Sequence, residues 1–424
     1  RRGVTTVSAT PRGDCSYFTT TETSPRDARM TLEPLEPRRA PAVADTDALV
    51  ALAHRARSGN ECTCATGRGT IVNFDLREPN DARAFVVRGA RRREVNALTW
   101  RNEHALFHAS DAVVVELDAR KMSAAGDAAV IRRFEGAGDV VNGVDVDQDD
   151  AMLAACDDAG EVIAYDLSNG EILRKLRGHD GCVTAVAFRR KRGASECATA
   201  STDCRAMKWD VKAKSVPVRT WDARNMLSAE DYDCGKITAR AEDESASIDA
   251  GASAKAFNPP MLHSLAFYRG ETSEENAPGL RRVAVSACGD GSVIVFDIDH
   301  PGVSGGSRAS KGKKKSSLAS AGPFADGRVE CVRLGADGVR GHTNAATCAD
   351  FVPWNRTGDV IVSGGADRRL LVWNWVDEAS HAARGLPVAS IERDRKINDL
   401  AFAADSRAIC VADTSPTLKL FALR

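Results

Sequence analysis

The sequence predicts an all-β fold, a single seven-bladed β-propeller, and three observations predict it. A pattern of short strands and tight turns recurs seven times along the 424 residues. Adjacent copies are mostly about 40 to 48 residues apart, the period at which four short strands make one blade. The last copy holds only three strands, Ile397 to Phe402, Ala408 to Ala412 and Leu418 to Ala422, so a closed ring needs a fourth from elsewhere. A four-stranded antiparallel sheet leaves open edges and a face it cannot bury alone, and radial packing of several copies covers both.

In chain order, residues 1–30 are rich in Ser, Thr and Arg and read as a disordered tail, with Met30 as a candidate start. Asp14, Glu22 and Asp27 make this stretch less acid-poor than an organellar transit peptide. The propeller is expected over residues 31–424. Thr31 to Val43 is the spare segment that can complete the last blade, and Pro34, Pro37 and Pro41 suit a strand paired on one side only. The closing pairs of blades 1 to 7 are Phe74-Asp75, Leu117-Asp118, Tyr165-Asp166, Trp209-Asp210, Phe296-Asp297, Trp373-Asn374 and Phe421-Ala422. Two gaps between them are wider. The extra residues, about 225–257 and 300–328, are rich in Gly, Ser, Ala and charge without sustained alternation, so they read as loop insertions rather than an eighth blade.

Blades 4 and 6 are the clearest copies. Each opens on Gly-His (Gly178-His179, Gly341-His342) and ends on a Trp followed by Asp or Asn. In both, an Asp (Asp203, Asp367) lies six residues before the Trp and four after a hydroxyl (Thr199, Ser363). At these residues the chain resembles the WD-repeat family. The resemblance implies a hydrogen-bonded network within the blade, linking His179, Thr199, Asp203 and Trp209, and again His342, Ser363, Asp367 and Trp373. The chemistry suits it: an indole N–H only donates, a hydroxyl donates and accepts, and an imidazole bridges to a carboxylate. Blade 5 keeps Ser286, Asp290 and Phe296 but lacks the Gly-His, and blade 1 has Arg68 where the Asp belongs, so both networks are expected to be incomplete. This His/Ser/Asp set is not read as a catalytic triad, because a nucleophile needs an exposed hydroxyl beside an oxyanion site.

Other chemistry is sparse. Nearly balanced Lys+Arg 58 and Asp+Glu 59 argue against a surface built to coat nucleic acid. No run approaches the roughly 20 apolar residues of a membrane span. Most of the 12 cysteines lie in apolar strand patterns, as Cys62, Cys156, Cys288 and Cys410 do, which suits a reducing compartment, nucleus or cytoplasm. His104 and His108 are expected on one strand, about 13 Å apart and too far for one ion, so no metal or cofactor is expected. Two basic clusters, Lys311, Lys313, Lys314, Lys315 and Arg189 to Arg192, read as solvated loops, with an import signal or polyanion contact as the alternative.

For function, the sequence points to a protein-interaction scaffold and not to an enzyme. WD-repeat propellers that act as receptors of cullin-4 ubiquitin ligases carry Trp-Asp, any residue, then Arg, often in two neighbouring blades. The resemblance implies that Asp75 and Arg77 of FDLR, and Asp118 and Arg120 of LDAR, form such a site for the damaged-DNA-binding protein 1 adaptor. Phe74 and Leu117 replace the motif's Trp. A literal WDAR at Trp221 to Arg224 follows Trp209 by only twelve residues and falls in the wrong part of the blade. The alternative is a monomeric nuclear or nucleolar assembly scaffold that binds peptide or RNA without a ligase.

Overall fold

The computed structural model describes residues 30–40, 43, 47–53, 59–78, 82–86, 94–121, 126–226, 258–270, 280–300, 331–335, 341–376 and 386–424. The tail 1–29, nearly all of both insertions, and Lys311, Lys313, Lys314 and Lys315 lie outside the described residues.

The described strands form seven four-stranded antiparallel sheets, and six of them keep strict chain order from first to fourth strand. These are blades 1 (49–86), 2 (97–134), 3 (141–177), 4 (183–222), 5 (266–334) and 6 (346–392). In blade 7, Ile397–Ala403, Ala408–Asp413 and Leu418–Leu423 are completed by Leu32–Arg38, which pairs with Leu418–Leu423 alone. Pro34 sits opposite Phe421 and the register slips between Leu35 and Arg38. An outer strand tolerates both, since its second edge carries no ladder that a missing N–H would break.

The core divides among the seven blade junctions rather than filling one centre. Trp209 packs between blades 3 and 4 with Met152, Val162 and Leu176. Trp373 packs between blades 5 and 6 with Val285, Val293 and Leu334. Each blade therefore buries the face its neighbour cannot, as small inner residues such as Ala154, Ala198 and Ala284 allow close sheet contact.

The turn between second and third strands places one residue in the left-handed region. Gly69, Gly160 and Gly291 fill it in blades 1, 3 and 5, whereas Cys204 (φ 67) and Arg368 (φ 66) take it in blades 4 and 6. There the preceding Asp accepts from the backbone N–H two residues on, Asp203 from Arg205 and Asp367 from Arg369, which holds a turn that glycine would otherwise make easy.

The first strand of five blades carries the same bulge, at Leu49/Ala51, Val141/Gly143, Val183/Ala185, Ala346/Cys348 and Ile397/Asp399. A bulge re-aims the extra residue. In four of these blades that residue, Asn142, Thr184, Thr347 or Asn398, hydrogen-bonds the next blade's backbone carbonyl.

Candidate interaction site

The two intact blade networks have matching geometry. In blade 4, His179 Nδ1 lies 2.9 Å from Asp203 and its Nε2 lies 2.7 Å from the Thr199 hydroxyl. Trp209 Nε1 donates to that same hydroxyl at 2.9 Å. In blade 6 the distances are 2.9 Å from His342 to Asp367, 2.8 Å to Ser363, and 2.8 Å from Trp373 to Ser363. Each hydroxyl oxygen accepts from indole, leaving its proton for imidazole Nε2, so Nδ1–H points to the carboxylate. Burial alone would raise the Asp203 carboxyl, but the His179 bond and the backbone N–H groups of Asp180 and Arg205 outweigh it and hold it down at about 2. Thr199 and Ser363 are fully buried, so these hydroxyls are no nucleophiles within reach of substrate.

The degenerate blades use substitutes. In blade 1, Trp100 of the neighbouring blade donates to Thr63 at 3.0 Å, Thr63 donates to Asn73 at 2.6 Å, and Asn73 donates to Glu61 at 2.8 Å. Arg68 stands exposed in the turn and takes no part. In blade 5 the missing His is replaced by Arg333, which forms an ion pair with Asp290, while the Ser286 hydroxyl donates to the Ser264 carbonyl at 2.6 Å. In blade 2, His108 occupies the hydroxyl's position. Its Nδ1 is buried without a partner, and burial, then the Arg133 charge, pushes the imidazole down to about 3. His104 is not on this strand as expected; it lies exposed in the turn ahead of Ala105–Ser110, because Asn102 caps that turn through the N–H groups of His104 and Ala105. One histidine faces solvent and the other the core, so they share no site.

The rim residues show a repeated device. After the third strand of blade 1 (Thr70–Asp75), Asp75 Oδ1 accepts from Arg77 N at 3.0 Å and Nε at 2.9 Å, and Oδ2 accepts from Nη2 at 2.5 Å. After the third strand of blade 2 (Val113–Asp118), Asp118 holds Arg120 through N at 3.1 Å, and through Nε and Nη2 at 2.9 Å each. Both guanidinium groups are thus fixed by the turn that carries them, yet both side chains stay 61% exposed. The Arg120 bond, together with its backbone N–H and its charge, holds the Asp118 carboxyl down at about 2. Beside Arg120 runs an open groove of about 420 Å³, lined by Asn102, Glu103, His104, Glu116, Asp118 and the exposed Ile131. Phe74 and Leu117 are buried, so the loss of the motif's Trp alters packing inside the blade and not the rim itself.

The literal WDAR forms the same clasp, Arg224 to Asp222 through N, Nε and Nη2. It follows the fourth strand of blade 4 (Arg219–Asp222), which runs antiparallel to the third, so Arg224 opens on the opposite face of the ring. In the basic run Arg189 to Arg192, Lys191 and Arg192 are exposed as expected, but Arg189 and Arg190 are not solvated. Arg190 is buried against Asp145 at 2.6 Å, and Arg189 bridges Glu196 at 2.5 Å and Asp299 at 2.6 Å.

The first strands of all seven blades line a central channel with a cavity of about 160 Å³. Asp350, Asp399 and Arg269 are on its wall, and the charges of Arg190 and Asp145 also act on Asp350. Burial, reinforced by Asp350, pushes Asp399 up to about 7 although the N–H groups of Leu52 and Leu400 oppose it. Among the described residues no cluster of three or more His, Cys, Asp or Glu could hold a metal ion.

Comparison with known proteins agrees with this architecture. The profile described as WD domain, G-beta repeat matches residues 170–210 and 331–374, the stretches that contain the two intact networks. A WD repeat-containing protein 53 homolog from Dictyostelium discoideum is 22% identical over 235 residues, 54% of this chain. The match spans about half of the relative as well, 56% of its length. Seven four-stranded blades, two of them with the repeat's internal network and matched by its profile, make this chain a member of the WD-repeat β-propeller family.

Proposed function

We propose that this propeller is a substrate receptor of a cullin-4 ubiquitin ligase, docking on the damaged-DNA-binding protein 1 adaptor through the rim of blades 1 and 2. It works in the nucleus or cytoplasm as a monomeric scaffold within that complex, without catalytic chemistry of its own. The observation that carries the reading is the pair of Asp-x-Arg clasps in equivalent turns of adjacent blades. A guanidinium already held in one rotamer loses little entropy when a partner takes its remaining N–H groups, so a clasped rim arginine is a prepared anchor. The groove beside Arg120, with Ile131 on its wall, supplies the apolar contact that such anchors work with.

The test is capture of purified adaptor by the full chain. Arg77→Ala combined with Arg120→Ala is expected to weaken capture about 30-fold or more. The thermal melt should hardly change, because exposed ion pairs contribute little to folding. Undiminished capture by the double variant would overturn the assignment. A parent chain that recovers ribosome-assembly or chromatin factors and no adaptor would favour the scaffold role instead.

A further inference from the structure

We propose that Arg424 is a third arginine of this rim, so that blades 7, 1 and 2 together present an arc of exposed guanidinium groups to carboxylates on an acidic segment of the partner protein. The proposal rests on the docking reading above and extends it across the seam where the ring closes.

Strand register makes the case. Phe421 of blade 7 lies opposite Ile409, as Phe74 lies opposite Cys62 and Leu117 opposite Leu106. In each blade that partner is the second residue of the second strand. Arg424, Arg77 and Arg120 each stand three residues further on, so they occupy equivalent register positions at the third-strand ends of three consecutive blades, Arg77 and Arg120 in turns and Arg424 paired with Thr31. In blades 3, 4, 5 and 6 that place holds Ser168, Lys212, Asp299 and Val376, which confines the arginines to one side of the ring.

Blade 7 holds its arginine differently. Ala422 stands where the other two blades have Asp, so the strand end itself offers no carboxylate. Arg424 Nε instead donates to Glu33 at 2.9 Å, on the strand Leu32–Arg38 that closes the ring. Its backbone exchanges hydrogen bonds with Thr31 at 2.8 and 3.0 Å, which fixes where the side chain starts. The side chain remains 69% exposed. From the same closing strand, Arg38 Nη2 donates to the carbonyl of Leu76, the residue before Arg77, and thus ties the blade 7 edge to the blade 1 rim.

Arg77 and Arg120 spend Nε and Nη2 on their clasps and make no hydrogen bond through Nη1 with the described residues. Arg38 and Lys121 add two further cations along the arc. Carboxylates on a partner loop match this surface, because planar guanidinium N–H pairs and carboxylate oxygens fit each other. Since a strand from ahead of blade 1 positions Arg424, the arc is complete only in the closed ring.

Binding of the full chain to purified adaptor, read by calorimetry at two salt concentrations beside a thermal melt of each variant, tests this. Arg424→Ala is expected to weaken binding about 5- to 10-fold, Arg424→Glu more than about 10-fold, and the parent's affinity to fall with salt. Glu33→Gln, which removes the competing charge and leaves Arg424 in place, should bind at least as tightly as the parent. If both Arg424 variants bind like the parent while the Arg77/Arg120 double variant loses binding, the third anchor is refuted and the docking reading stands. Weakening by Glu33→Gln equal to that of Arg424→Ala would make Arg424 a closure strut and refute it too. If the double variant binds like the parent, or the parent binds no adaptor, both readings fall.

Discussion

A single buried hydroxyl serves two partners in each intact blade, and this sharing makes the network costly to break. Ser363 accepts from Trp373 and faces His342 Nε2, while His342 Nδ1 faces Asp367. Removing the imidazole leaves the hydroxyl and the carboxylate each short of a buried partner. His342→Ala is therefore expected to destabilise the fold by about 1 to 3 kcal/mol, and His179→Ala by a similar amount, measured by denaturant or thermal melts. Two variants that melt with the parent would remove the network from the account of stability. His108 is the counter-example: it fills the hydroxyl's place in blade 2, opposite Leu98 and Val115 on the flanking strands, without a partner at Nδ1.

At the scale of the strand, the bulged first strands join one blade to the next. Asn398 donates to the Leu49 carbonyl at 2.7 Å, and Asp399 Oδ2 accepts from Leu52 N at 2.8 Å, so both bonds cross the seam between blades 7 and 1. Asp350 of the adjacent blade 6 repels Asp399, and burial followed by this repulsion raises its carboxyl to about 7. A carboxyl raised in the fold binds its proton more tightly there than in the unfolded chain. Its contribution is therefore most favourable below the unfolded value near 4 and is lost as pH rises toward 7. Asp399→Asn should raise the melting midpoint at pH 8 and change it little at pH 4, as a pH series of melts would report. An equal shift at both ends would mean that Asp399 does not titrate in this range.

Across the whole molecule, the described residues supply all four strands of each of the seven sheets. Blade 5 has its third strand at Val293–Asp297 and its fourth at Cys331–Leu334, paired directly, on either side of the segment read as an insertion. Deleting residues 304–319 should leave the cooperative melt unchanged, since loop length enters closure entropy only logarithmically and no described core residue is lost. An insoluble product, or a melt that loses its cooperativity, would show that the ring depends on that segment.

The sequence by itself determined the number of blades, their order, the need for a closing strand before blade 1, and the two intact networks. The reason is that these features are local. Period, turn chemistry and the spacing from hydroxyl to Asp to Trp all fall within one blade, so each copy states its own geometry. Only the tertiary structure decided what stands in where a copy is degenerate. Trp100 reaches Thr63 across a blade boundary, and Arg333 pairs with Asp290 from the fourth strand. Arg190, legible only as one of four basic residues in a turn, is buried on Asp145 of the preceding blade. Arg424 shows the limit most plainly: its blade has lost the Asp that would mark the motif, so its kinship with Arg77 and Arg120 appears only once paired strands set the three strand ends in register. Contacts between Asp399 and Leu52, 347 positions apart, arise from closing a ring, and no local pattern encodes which strand will lie beside which.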